Sequence, residues 1–396
     1  MLTGKTIVLG VTGSIAAYKI ANLASMLVKL NADVHVIMTQ NATHFITPMT
    51  FETLTNNKCI VDTFDRNFNF DVKHVSLAKK GDLFLVAPCT ANVIGKVAGG
   101  ICDDMLTTTI MATKAPVLFS PAMNTGMWEN PILQDNLQKL KHYGYHIIEP
   151  VEGRLACGDI GSGKMPSEEV LLEHILLHLA KDKDLKGKKI LVTAGPTQEA
   201  IDPVRFISNR SSGKMGYALA KMAVLRGAEV TLVSGPVSIQ SFAGIEKIAV
   251  RSAQEMFEAV TSRSAEHDVI IMCSAVADYK PAVYADQKVK KRDDDMSIPL
   301  TRTQDILGYL GEHKQQGQLL VGFSMETENL IENSRKKLMK KQADLICANS
   351  VSGKETGFAV DTNKVTLISA QEVKQLPLCS KEETADLILS AIKDYM

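Results

Sequence analysis

Short β-branched runs alternate with stretches whose apolar residues recur at helical spacing, the pattern of an α/β protein built on parallel strands. The first run, Thr6–Val11, leads through Thr12-Gly13-Ser14-Ile15-Ala16 into an apolar-periodic helix through Leu30 and a second run, Asp33–Met38. A short helix is expected from about Met49 to Leu54, and strands over Asp82–Ala87 and Pro116–Ser120. A leucine-rich helix, Glu168–Leu179, closes this half. The plan then restarts. Lys188–Thr193 reads as a buried strand, followed by a long polar loop that breaks at Gly195-Pro196 and ends in Ser211-Ser212-Gly213-Lys214-Met215-Gly216. A helix through Arg226 and a strand over Glu229–Val233 follow, then strands over Asp268–Ser274, Leu319–Ser324, Asp344–Asn349 and Thr366–Ser369. Helices are expected from Glu328 and over Glu382–Tyr395. The layout repeats with little letter identity, which predicts two tandem Rossmann-like α/β domains that bind nucleotides. They span residues 1–180 and 188–396, and the charged stretch 181–187 reads as a solvated linker or, equally, as a frayed helix end that leaves the boundary in place.

Composition narrows the function. Lys+Arg 44 balances Asp+Glu 44, so no global basic surplus points to nucleic acid or an anionic membrane. One Trp and 5% aromatic residues leave no stacking platform for single strands, and no apolar run is long enough to span a bilayer. Seven cysteines without a CxxC pair, and no signal peptide ahead of the first strand, predict reduced thiols and a cytoplasmic location.

The chemistry is expected at strand ends, where open parallel sheets hold their ligands. Three strands of the first half end in Thr12-Gly13-Ser14, in Pro88-Cys89-Thr90-Ala91-Asn92 and in Pro121-Ala122-Met123-Asn124, which converges on one crevice. His74 alone reads more simply as a satisfied histidine than as a catalyst. Cys157 has a bland reading as a small buried hydrophobe. It lies, however, in Ala156-Cys157-Gly158-Asp159-Ile160-Gly161-Ser162-Gly163-Lys164-Met165, which reads as a flap able to carry a proton donor. In the second half, the loop ending at Gly216 before a helix N-terminus forms an anion cradle. It lacks the glycine spacing, and the Ser/Thr after lysine, of a Walker motif, and it is not a dinucleotide fingerprint. The run Lys288-Val289-Lys290-Lys291-Arg292 reads either as a solvated face or as a polyphosphate clamp.

Together, Gly-Ser-Ile-Ala-Ala-Tyr-Lys from Gly13, His74, the Pro88–Asn92 loop, Pro121–Trp128 and the Ala156–Met165 flap resemble the flavin-dependent cysteine decarboxylases, in particular those acting on phosphopantothenoylcysteine. Cys89, Thr90 and Val93 depart from the family's usual Pro-Ala-Ser-Ala-Asn-Thr loop, while Thr90 keeps a hydroxyl and Asn92 is retained. The resemblance implies a flavodoxin-like domain of the HFCD flavoprotein type. It implies FMN against Gly13, Ser14, Ile15, Thr39, Cys89, Thr90, Ala91, Asn92 and Ala122, its phosphate at the first helix N-terminus. His74 would be the base, Asn124 the holder of the substrate carboxylate and Cys157 the proton donor. In the family's mechanism, FMN oxidises the thiol carbon to a thioaldehyde, which serves as electron sink for loss of CO2.

The stretch Ala194–Gly216 with Ser274-Ala275-Val276-Ala277-Asp278-Tyr279 and Lys288-Val289-Lys290-Lys291 resembles the phosphopantothenate–cysteine ligases. That resemblance implies an open-sheet ligase domain in which CTP with Mg2+ activates the carboxylate of 4′-phosphopantothenate as an acyl-cytidylate, which the amine of cysteine then attacks. Asn209 would contact the acyl-cytidylate and Arg205 substrate anions. Ser274, Ala275, Val276, Asp278, Lys288, Phe323, Lys337 and Lys341 would line the CTP site, with Lys288 on the triphosphate and Asp278 on the metal. Ser274 stands where the family often has Ala, and Thr303-Gln304-Asp305-Ile306-Leu307 replaces a usual Asn-Pro-Asp-Ile turn. The expected partners are small molecules and other copies of the chain, combined as trimers and dimers into a dodecamer. Two rivals stay open: a regulatory flavoprotein that only binds FMN, and a flavoenzyme acting on another substrate, such as a peptidyl cysteine decarboxylase or a flavin prenyltransferase.

Overall fold

The computed structural model describes residues 2–64, 73–156, 158–290, 297–326, 328–350 and 362–396. The chain divides into two compact units, Met1–Lys181 and Asp182–Met396.

The first unit runs β1 (Thr6–Val11), α1 (Ala17–Lys29), β2 (Asp33–Met38), α2 (Pro48–Thr55), α3 (Lys73–Lys80), β3 (Leu83–Cys89), α4 (Ala91–Gly99), α5 (Met105–Ala112), β4 (Val117–Pro121), α6 (Thr125–Trp128), α7 (Pro131–His142), β5 (His146–Ile147), β6 (Val151–Arg154), β7 (Ile160–Lys164) and α8 (Glu168–Leu179). Its sheet is parallel in the order β2-β1-β3-β4-β5. That is the flavodoxin-like order, with the topological switch point between β1 and β3. Strands β1, β3 and β4 are buried at every position, as a sheet covered on both faces requires. Val8, Phe84, Val86 and Phe119 pack with Val97, Leu106 and Leu137 in one core. Helix α5 was not expected from the sequence: Thr107, Thr108 and Thr109 interrupt its apolar pattern, and an Asp104–Thr107 capping box starts it.

The second unit runs β8 (Lys189–Ala194), β9 (Gln198–Ala200), β10 (Phe206–Ser208), α9 (Lys214–Leu225), β11 (Glu229–Ser234), β12 (Ile245–Ala249), α10 (Ala253–Thr261), β13 (Val269–Met272), β14 (Tyr279–Pro281), β15 (Leu300–Arg302), α11 (Ile306–Glu312), β16 (Leu319–Glu326), α12 (Leu330–Lys340), β17 (Leu345–Ser350), β18 (Thr362–Asn363), β19 (Val365–Ile368), β20 (Val373–Gln375), β21 (Cys379–Ser380) and α13 (Lys381–Lys393). The sheet order is β12-β11-β8-β13-β16-β17-β19-β20. Its first six strands are parallel and follow the dinucleotide-fold order, with the switch point between β8 and β13, while β19 and β20 pair antiparallel.

Two sequence expectations change here. The long polar loop after β8 contains the antiparallel hairpin β9–β10. Its strands are too short and polar to show periodicity, and Glu199, nearly fully buried, uses Oε1 to accept from the Ala253 N–H at the start of α10. The charged stretch 181–187 is not solvated throughout. Leu185 is buried, and Asp184 takes two hydrogen bonds from the buried guanidinium of Arg226, at 2.9 and 2.7 Å. Arg226 also reaches Asp386 and Ser390 on α13. Its hydrogen bonds hold the Asp184 carboxyl down at about 2.

Candidate active sites

In the first unit the switch point is stitched by one hydroxyl. Thr12 Oγ1 donates to the Pro88 carbonyl at 2.7 Å and accepts from the Thr90 N–H at 3.0 Å. Ala122 N–H donates to the Cys89 carbonyl, and Thr39 N–H to the Val11 carbonyl, both at 3.0 Å. The ends of β1, β2, β3 and β4 are thus joined, as the polar tails predict. A Cβ on Gly13 would stand 2.7 Å from the Asn41 Cβ, so the β1–α1 turn can lie against Asn41 only without a side chain.

Beside these strand ends lies a cavity of about 460 Å³, lined by Ser14, Ile15, Tyr18, Lys19, Ala122, Met123, Asn124, Arg154 and Lys164 among others. Asn124 is fixed by its own helix: its Oδ1 accepts from Met127 N–H at 2.9 Å and caps α6, which leaves the amide nitrogen as its donor toward a ligand. Strand β7 of the flap hairpin is pinned beside it. Met123 N–H donates to the Gly163 carbonyl and Thr125 Oγ1 to the Ser162 carbonyl, both at 3.0 Å. Gly163 has φ +120°, and a Cβ there would strike the Met123 carbonyl, so only glycine permits this contact. Cys157 lies outside the described residues.

His74, in the first turn of α3, is half-buried and is not among the residues lining this cavity. Thr39, Thr90, Ala91 and Asn92 are likewise absent from its lining. The Cys89 side chain is fully buried, and burial pushes its thiol well above the usual range, so only its backbone faces the strand-end region. Lys19, Arg154 and Lys164 are additions that the sequence reading did not single out as site residues. Lys19 sits in the turn motif, Lys164 within the glycine-rich flap and Arg154 just ahead of it, so the clue was charge in or beside a motif.

In the second unit the corresponding stitching uses two hydroxyls. Thr193 Oγ1 accepts from the N–H groups of Cys273 and Ser274, each at 3.0 Å, and Thr197 Oγ1 accepts from Ala277 N–H at 3.0 Å. The whole strand end after β13 is therefore held against the end of β8. Asn209 Nδ2 donates to the Ala275 and Val276 carbonyls, at 3.1 and 3.2 Å, which brings it to the same place.

A cavity of about 540 Å³ opens here, lined by Ser274, Ala275, Val276, Asp278, Phe323, Lys337 and Lys341, together with Arg302 and the Thr303–Leu307 turn. Seven predicted nucleotide-site residues from four elements and their ends thus meet in one space. Lys337 Nζ donates to the Phe323 carbonyl at 2.8 Å, and Lys341 is paired with Asp305. Burial raises the Asp305 carboxyl, but Lys341 and the Gly308 N–H outweigh it and leave it below the ordinary range. The carboxylate at the mouth of this cavity was not assigned from the sequence as a site residue.

Lys288 is exposed and is not among the residues lining the cavity; Lys291 and Arg292 of the same run lie outside the described residues. Arg205 is already engaged within the chain. Its guanidinium binds the Asp202 carboxylate and donates to the Val289 carbonyl at 2.7 Å, while Asp202 accepts from Val289 N–H at 3.1 Å. The geometry makes Arg205 an anchor for the backbone next to Lys288. No cluster of three or more His, Cys, Asp or Glu residues able to hold a metal occurs among the described residues. Of the two carboxylates lining the cavity, Asp305 is taken by Lys341, which leaves Asp278 and suits Mg2+ held mainly by substrate phosphates.

Both sites fit the groups the chemistry needs. Thr39 Oγ1 and Ser120 Oγ in the first unit, and Ser274 Oγ in the second, are buried without a hydrogen-bond partner among the described residues. Unpaired buried hydroxyls are costly, and a ligand at the strand ends would satisfy them.

Residues 1–179 match the family model "Flavoprotein", and residues 185–396 match "DNA/pantothenate metabolism flavoprotein C-terminal domain". Among curated proteins, the Coenzyme A biosynthesis bifunctional protein CoaBC of Bacillus subtilis (strain 168) is 46% identical over 396 residues, 99% of this chain and 97% of its own. The solved C-terminal domain of a CoaBC protein is 45% identical, with a TM-score of 0.47, and covers 54% of this chain and 97% of its own. A PPC decarboxylase mutant complexed with pantothenoylaminoethenethiol is 31% identical, with a TM-score of 0.41, covering 45% of this chain and 99% of its own. The chain belongs to the family of bifunctional coenzyme A biosynthesis proteins that join a flavoprotein domain to a pantothenate-metabolism ligase domain. It is an enzyme with phosphopantothenoylcysteine decarboxylase and phosphopantothenate–cysteine ligase activities, served by FMN in the first half and by CTP with Mg2+ in the second. Among the described residues no helix is long and apolar enough to cross a membrane.

Proposed function

We propose that the two activities divide between the two switch points, each run by the residues gathered there. The observation that carries this reading is the pair of strand-end cavities, the second of them lined by the buried, unpartnered hydroxyl of Ser274. In the first unit FMN lies along Gly13, Ser14, Ile15, Thr39, the backbone of Cys89–Asn92 and Ala122, with its phosphate at the α1 N-terminus. When bound, FMN supplies the oxidation of the substrate's thiol carbon that makes loss of CO2 feasible. Asn124 Nδ2 donates to the substrate carboxylate, its orientation set by the helix cap. Lys19, Arg154 and Lys164 neutralise the substrate phosphate. His74 acts as base and Cys157 as proton donor.

In the second unit CTP would occupy the larger cavity, where Asp278 and the triphosphate would hold the Mg2+ that neutralises phosphate charge. Lys337 and Lys288 balance the charge released as pyrophosphate departs, and Asn209 holds the acyl-cytidylate beside Ala275. Arg205 acts on this site through Val289, by fixing the segment that carries Lys288.

The protein works in the cytoplasm as a homo-oligomer, a dodecamer combining trimers and dimers. Exposed Ile15, Tyr18, Phe45 and Met49 on the first unit support subunit contacts, as does the absence of His74 from the lining of the cavity that needs a base. The test is a visible spectrum of the purified protein, followed by a coupled assay with CTP, cysteine and 4′-phosphopantothenate. Bound FMN near one per chain and formation of 4′-phosphopantetheine are expected. His74→Asn is expected to retain flavin and lose CO2 release; a near-normal rate rejects it as base. Light scattering measures the assembly, and a monomer rejects the oligomer.

A further inference from the structure

The nucleotide cavity has a smaller neighbour. A space of about 150 Å³ is lined by the α9 N-terminal segment, residues 211–216, and by Cys273, Ser324, Met325, Asn349, Asn363 and Lys381; it shares Ser274, Ala275 and Phe323 with the larger cavity. It is too small for a nucleotide or a pantothenoyl arm, yet a cavity of this size takes a molecule as large as benzene. Its walls are chemically divided. One side carries the α9 N-terminus, opened by Gly213 at φ +77°, with the cationic side chains of Lys214 and Lys381. The other carries Asn349, 9% exposed, whose Oδ1 is buried with no hydrogen-bond partner among the described residues. In register beside it on β16 is Met325, and with Met215 and Cys273 it makes a wall rich in sulfur.

A helix N-terminus with two lysines fits a carboxylate, an unsatisfied carbonyl oxygen needs an N–H donor, and a soft apolar wall suits a thiol side chain. We propose that this cavity is the cysteine subsite of the ligase, with the α-carboxylate at the start of α9, the α-amine on Asn349 and the thiol among Met215, Met325 and Cys273. The assignment rests on the reading that the acyl-cytidylate lies beside Asn209 and Ala275. Because Ser274, Ala275 and Phe323 line both spaces, the two adjoin, and an amine held on Asn349 is brought next to the activated carbonyl, the proximity a bimolecular acyl transfer requires. The neutral amine donates its lone pair to the acyl carbon. The C–O bond to the cytidylate phosphate breaks with its electron pair going to CMP, and the nitrogen's surplus proton passes to water. Asn349 Oδ1 accepts from an N–H that becomes more acidic as the C–N bond forms. Burial pushes the Cys273 thiol up to about 12, which keeps it protonated and unable to compete for the acyl group.

The experiment uses the full-length protein with three readouts: pyrophosphate release without cysteine, trapping of the acyl-cytidylate by hydroxylamine, and the KM for cysteine. Hydroxylamine is small enough to reach the carbonyl without the subsite. For Asn349→Ala, a rise in cysteine KM of about tenfold is expected, larger than any change in pyrophosphate release. Met325→Trp, which fills the space from a half-exposed position, is expected to raise it further while hydroxylamine still traps the intermediate. An unchanged cysteine KM in a folded variant overturns the proposal. So does a parallel rise in the KM for CTP or 4′-phosphopantothenate, which would give the cavity to the first half-reaction. Failure of the wild type to release pyrophosphate or to yield a hydroxamate would instead overturn the underlying acyl-cytidylate reading.

Discussion

The two switch points solve one problem with different economy. In the first unit a short turn, 12–16, joins β1 to α1, and the single hydroxyl of Thr12 ties the end of β1 to the end of β3. In the second unit the chain from β8 to α9 runs through 195–213 and folds back as the β9–β10 hairpin. There Thr193 and Thr197 hold the neighbouring strand end from Cys273 to Ala277. Residues of the short connection line the cavity beside Asn124, and the end of the long one lines a space that adjoins the nucleotide cavity. A decarboxylase handles one substrate beside its cofactor, whereas a ligase must bring a nucleotide, an acid and an amine together. The last residues of the long connection, Ser211, Ser212 and Gly213, wall the smaller of these spaces.

The strongest way to test whether the two regions are separable is Arg226→Ala. It removes a buried guanidinium whose partners Asp184 and Asp386 are partly exposed, Asp184 keeping Lys393, and is expected to cost about 2–4 kcal/mol in the second unit, while flavin retention by the first is preserved. Calorimetry with a flavin-absorbance readout checks this; a matching shift of both transitions would join the units into one cooperative body. Thr193→Val leaves two N–H groups without an acceptor, at about 1–3 kcal/mol each. Pyrophosphate release is expected to fall steeply, and CO2 release from supplied phosphopantothenoylcysteine to persist. Thr12→Val is the mirror case: one donor and one acceptor lose their partner, flavin retention and decarboxylation decline, and pyrophosphate release continues. If either substitution impaired both activities equally, the division between switch points would fail.

The smallest effect concerns acid. The Asp184 carboxyl is depressed to about 2, chiefly by the Arg226 hydrogen bonds, so its pairing contributes fully above the ordinary aspartate range, about pH 4. That contribution is lost as pH falls through about 2. Thermal melts of wild type and Asp184→Asn are expected to differ above pH 4 and to converge on acidification.

Much of this architecture was legible from residues alone. The runs Thr6–Val11, Asp33–Met38 and Glu168–Leu179 coincide with the observed elements, because burial on both faces writes a strand as a short apolar run and burial of one face writes a helix with a 3.6-residue period. Of the eight residues from Ser274 to Lys341 that the ligase resemblance implies for a nucleotide site, seven line one cavity. Less visible were elements whose stability comes from distant partners. The β9–β10 hairpin is short and polar, and α5 is rich in threonine, so neither has a local signature. The bonds Arg205 makes within the chain are only half legible for the same reason: Asp202 is near in sequence, but Val289 is not.

Fold class, the repeated strand–turn–helix plan and the chemistry at the strand ends follow from local pattern and residue type, since both are written in consecutive positions. The union of Asn349, Met325 and Lys381 with Ser274 is of another kind. They sit on β17, on β16, at the start of α13 and just past β13, and only the lateral order of the sheet with its covering helices sets them around one space. Strand order is decided by which faces bury best against one another across the whole domain, and no window of sequence carries that information.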